Sequence, residues 1–83
     1  MRSLAERRKL SETRIRSVAA ELYAKMSADE RRLVAFGLFP HAAMEAAHEQ
    51  LVEEFDAVGD DSYNRQNIGR ILAVAIMDAA KLA

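Results

Sequence analysis

The sequence predicts an all-α fold: a small four-helix domain with short connections, assembling as a helical-bundle homodimer. Three observations carry this expectation. Composition favours helix, being 51 % hydrophobic, much of it Ala and Leu, and 30 % charged, with only three Gly and one Pro in 83 residues. Cap residues and terminating glycines divide the chain into four segments. The last segment is apolar on nearly every side, more than so short a chain can cover by itself.

The first helix starts at Ser3, where Ser3 and Glu6 have the spacing of a capping box. Its apolar stripe is Ile15, Val18, Ala19, Leu22 and Met26. Extended backward, the stripe meets Ser11 and Arg8 before Leu4, so the first turns do not face a core. Residues 1–10 therefore read as a basic N-terminal arm or helix extension, and residues 11–83 as a single helical domain.

The second helix is short, over 28–36. Ser27 and Glu30 form another capping-box pair, and Asp29 puts negative charge in the first turn, where the helix dipole favours it. Gly37 is the expected terminator, since only glycine enters the left-handed region without steric cost. Pro40 then suits the first position of the third helix, and Leu38 and Phe39 read as a tight linker with both side chains turned inward. The third helix should run over 40–58 and stop at Gly59, with Asp61 or Ser62 capping the fourth.

On a heptad, Met44, Leu51 and Val58 fall in one row of helix 3, and His41, His48 and Phe55 in the other. Both histidines should then lie on the buried seam, as a cluster with Glu45. The plainest reading is packed neutral histidines, each bonded to a carboxylate or carbonyl. A pH switch is a second reading. A third is a metal centre, because Glu45 and His48 have the Glu-x-x-His spacing of di-iron bundles; dimerisation would be needed to double the motif. No metal ligand is assigned.

In the fourth helix Ile68, Leu72, Ala75, Ala79 and Leu82 form one stripe, extended by Ile71 and Ile76. Ile71, Val74 and Met77 are the expected self-association residues, a twofold dimer being the commonest solution. Gly69 inside this helix either marks a close approach of another helix or is tolerated there without a role.

Charge is unevenly spread. Residues 1–16 hold six cations against Glu6 and Glu12, for +4; with a net charge of −1, the other residues sum to −5. Arg7, Arg8, Arg14 and Arg16 are the expected contacts for an acidic partner. Nucleic acid is the alternative partner, weakened by the acidic remainder of the chain and by the Ala- and Glu-rich third helix.

Several classes fall away. The longest apolar run, 71–77, is far short of the ~20 residues that span a bilayer. No secretion signal is evident, and no cysteine offers a disulfide or thiolate zinc site; the expected setting is the cytoplasm. No Gly-rich phosphate loop, H-E-x-x-H or G-x-S-x-G motif occurs, and no serine has an adjacent histidine base. No catalytic residue or cofactor is therefore assigned. The expected function is a non-enzymatic protein-binding module, a regulator or inhibitor acting through helix faces.

Overall fold

A computed structural model describes residues 2–82. Among these the chain forms four helices and no strand: α1 Leu4–Lys25, α2 Ala28–Val34, α3 His41–Ala57 and α4 Arg65–Leu82. The four-helix expectation holds, and the reasons are local. Ser3 Oγ accepts from the Glu6 N–H at 3.2 Å and starts α1. At α2 the capping box is complete: Ser27 Oγ accepts from Glu30 N–H at 3.1 Å, and Glu30 Oε1 accepts from Ser27 N–H at 2.9 Å.

Both predicted glycine terminators work through the same geometry. At the end of α2 the Leu38 N–H bonds Leu33 C=O and the Gly37 N–H bonds Val34 C=O, with Gly37 at φ +78°. At the end of α3 the Asp60 N–H bonds Phe55 C=O and the Gly59 N–H bonds Asp56 C=O, with Gly59 at φ +68°. These are Schellman turns, which satisfy carbonyls that the helix leaves unpaired.

Two helix starts and one linker side chain differ from expectation. Pro40 precedes α3 rather than opening it; its carbonyl takes the Met44 N–H while its backbone stays extended. Asn64, not Asp61 or Ser62, caps α4, with Oδ1 accepting from Asn67 N–H at 2.8 Å. Ser62 is already committed to Asp60, whose Oδ1 accepts the Ser62 N–H at 2.9 Å in a local turn. Leu38 does not turn inward. It is exposed, and Phe39 alone of the pair packs on the core.

The core joins Ile15, Val18 and Ala19 of α1 to Val34, to Ala47, Leu51 and Phe55 of α3, and to Ile68, Leu72, Ala75 and Ile76 of α4. Met26 is buried at the α1–α2 corner. There Arg31 donates to the Tyr23 and Ala24 carbonyls, at 3.1 and 2.8 Å, and lies over the Tyr23 ring. It thus closes the end of α1 and fixes the angle of α2. α4 touches all three other helices and meets α1 most extensively. α1 and α4 run parallel, since Glu12 meets Tyr63 and Arg16 meets Asp78. α3 runs against both, so that Arg14 faces Glu54 while Leu22 shares a groove with Ala43.

Gly69 marks a close approach, made by a side chain of α3. The His48 ring lies on it, and a Cβ there would stand 3.3 Å from His48 Cε1.

Gly59 tests the turn chemistry. No atom lies within 4 Å of where its Cβ would be, so Gly59→Ala charges only the backbone conformation. It should lower stability by about 1 kcal/mol in urea unfolding, with an unchanged denaturant slope. An unaltered midpoint would mean that the turn does not require left-handed backbone.

Candidate functional site

The predicted basic contacts all lie on α1, and each has a partner within the chain. Arg14 makes a bidentate pair with Glu54, at 2.9 and 2.7 Å. Arg16 reaches Asp78 at 3.2 Å, and Arg7 reaches Asp61 at 3.1 Å. Arg8 donates to the Ser62 carbonyl and lies 5.4 Å from the centre of the Tyr63 ring. These side chains bind α1 to α3, to α4 and to the loop between them. The N-terminal segment is one continuous helix with the rest of α1, and from Arg7 onward it touches the body. Met1 and Ala83, at the outer limits of the two expected segments, lie outside the described residues.

Beneath these arginines sits a buried polar knot. Ser11, at the point where the apolar stripe fails, is buried and donates to Asp60 Oδ2 at 2.5 Å. Ser62, also buried, donates to Asp60 Oδ1 from its hydroxyl at 2.6 Å. Tyr63 donates to Glu12 at 2.5 Å. Burial pushes the Asp60 carboxyl up, but the donors from Ser11 and Ser62 together outweigh it and hold it below the usual carboxylate value. The Arg14 guanidinium holds Glu54 below its usual value in the same way. The bond to Glu12 pushes the Tyr63 phenol up.

The buried histidine cluster is not formed. His41 stands in solvent, its side chain 89 % exposed, with Glu45 beside it at 3.7 Å and also exposed. The heptad places His41 on the seam, but the buried line of α3 is Ala47, Leu51 and Phe55, and the first turn of α3 extends past it. Val58, at the other end of the same heptad, is exposed as well. His48 is half-buried, and Nε2 lies 2.7 Å from the Arg65 carbonyl, so this nitrogen carries the proton. Arg65 in turn pairs with Glu49. His48 is thus a strut between α3 and α4. Among the described residues no three His, Cys, Asp or Glu side chains are placed to hold a metal ion.

Of the expected self-association residues, Ile71 packs partly on the core and Met77 is half-buried, while Val74 is 47 % exposed. Leu82, read as part of the buried stripe, is exposed at the end of α4. Among the described residues no helix is long and apolar enough to cross a membrane.

The most exposed cluster of large apolar side chains was not anticipated. Leu33, Phe36 and Leu38 are 49, 81 and 59 % exposed at the end of α2. Two facts bring them together. Val34 is the one residue of α2 that is buried, and Leu33 and Phe36, three apart, lie on the helix face away from it. The Schellman turn then folds Leu38 back beside Leu33. The signal was present in the sequence: a helix of this length has one inward position, so its neighbouring apolar residues cannot all share it.

Comparisons with protein-family models, with curated proteins and with solved structures returned no match.

The polar knot makes stability acid-sensitive. Asp60 and Glu54 titrate lower in the folded chain than in the unfolded one. Their contribution is therefore present above the ordinary carboxylate range and is lost as pH falls through their lowered values. Stability should hold near neutrality and drop below about pH 4. Asp60→Asn should lower the neutral plateau and flatten the acid limb in unfolding measured against pH; an acid limb identical to wild type would remove Asp60 from this role.

Proposed function

We propose that the chain is a non-enzymatic protein-binding module, a small regulator or inhibitor, whose contact surface is the apolar knob Leu33, Phe36 and Leu38. One observation carries the reading: a phenylalanine 81 % exposed, flanked by two exposed leucines, on a turn held by three backbone hydrogen bonds. An aromatic ring standing in water beside two exposed leucines is the kind of contiguous apolar surface that serves association. Because the turn is already fixed, docking orders little more than side-chain rotamers. The partner is a folded protein with an apolar cleft able to receive an aromatic ring.

The charge pattern supports protein over nucleic acid. Arg7, Arg14 and Arg16 each face a carboxylate of the same chain, which reduces the field they offer to phosphate. The proposed setting is the cytoplasm, where a cysteine-free domain loses nothing to the reducing environment.

The test begins with capture of the partner from native-source extract and proceeds to affinity measurement with that partner purified. Phe36→Ser should weaken binding at least about tenfold, as an aromatic anchor does, while leaving the unfolding midpoint near wild type. Equal affinity of wild type and a Phe36→Ser, Leu38→Ser double variant would refute the reading.

A further inference from the structure

We infer that two copies of this chain associate by seating the outer ridge of α4 of each on the outer face of α3 of the other. The ridge is Arg70, Val74, Met77 and Lys81, at steps of four, three and four residues. Arg70, Val74 and Lys81 are exposed, and Met77 is half-buried. Among the described residues neither Arg70 nor Lys81 has a carboxylate partner; Arg70 reaches only the Asn67 side chain, at 3.4 Å. The face on α3 carries Glu45, Glu49, Glu53 and Asp56, all exposed, with Ala42 and Ala46 exposed beside them. Of these carboxylates only Glu49 pairs with an arginine, Arg65; Glu45 stands beside His41.

The two faces match in length. Arg70 and Lys81 are eleven residues apart, and so are Glu45 and Asp56. At 1.5 Å per residue both spans are about 16 Å. One helix laid along the other sets both cations of α4 against carboxylates at the two ends of α3. With the ends so paired, Val74 and Met77 lie over the stretch between Ala46 and Glu53, and the short Ala46 side chain lets the helices approach. The alternative of α4 against α4 brings two copies of Arg70 and Lys81 together and is opposed by like charge. Charge therefore selects α3 as the counter-surface, and reciprocity gives a closed pair with two equal junctions.

The knob takes no part in this contact, so the two surfaces can be tested separately. Sedimentation or light scattering up to about 1 mM chain should show a dimer at about 50 mM salt. Its association constant should fall at least about tenfold at about 500 mM salt, because the junctions are exposed and screened. Arg70→Glu with Lys81→Glu should give a monomer, and so should Glu45→Lys with Asp56→Lys. Mixing these two variants should restore a dimer, since both junctions of the mixed pair are attractive. Val74→Ser should weaken the dimer while leaving every charged group in place, and circular dichroism would check that every variant is folded. Phe36→Ser should dimerise like wild type. A single species of 9.3 kDa at the highest concentration and lowest salt would overturn the inference. So would charge-swapped variants that dimerise as wild type does, or a Phe36→Ser variant that does not.

Discussion

The contact between Ser11 and Asp60 is the constraint on which the arrangement of the helices rests. The apolar stripe of α1 begins only at Ile15, and the turns before it offer no aliphatic side chain to the core. A helix of this length would swing free over its first half if packing alone held it. Asp60 instead collects donors from both sides, Ser11 on α1 and Ser62 in its own loop. Each is buried, and each polar atom has a partner, which is the condition under which a buried polar group stabilises rather than costs. The surrounding arginine pairs are more exposed and individually worth no more than about 1 kcal/mol. Together they fix the corner between α3 and α4, and that corner sets the line along which α4 meets α1.

What the sequence made legible follows from how local each cause is. Ser3, Ser27, Gly37 and Gly59 act within a few residues of themselves, so the helix boundaries they set were readable. The buried stripe Ile15, Val18 and Ala19 was likewise readable from spacing. The pairings across the chain were not. Nothing near Arg14 announces Glu54, and nothing near Ser11 announces Asp60, because these contacts exist only once three helices have met. The heptad on α3 failed for a related reason. A repeat of seven assumes a partner along the whole helix, and the neighbours of α3 cover it only from about Ala43 to Phe55, leaving His41 and Val58 in solvent.

The outcome inverts the division of labour that composition suggests. Arg7, Arg14 and Arg16 of α1, the kind of residue usually taken as the means of reaching a partner, are here turned toward the chain's own carboxylates. Apolar residues, usually taken as core, stand outward on α2 and on one side of α4. Size explains the inversion. A domain this small has too little interior to hold every aliphatic side chain and gains part of its cohesion from polar contacts along its surface.

The parallel course of α1 and α4 governs how the molecule can be joined to anything else. Ser3 lies at one end of the body, beside the loop that precedes α4, while Leu82 lies toward the other, in a molecule 44 Å long. A linker joining Ser3 to Leu82 would have to run nearly the length of a helix. A domain fused ahead of Ser3 would sit at the Asp61 end of the body, near the exposed Leu10 and Val58.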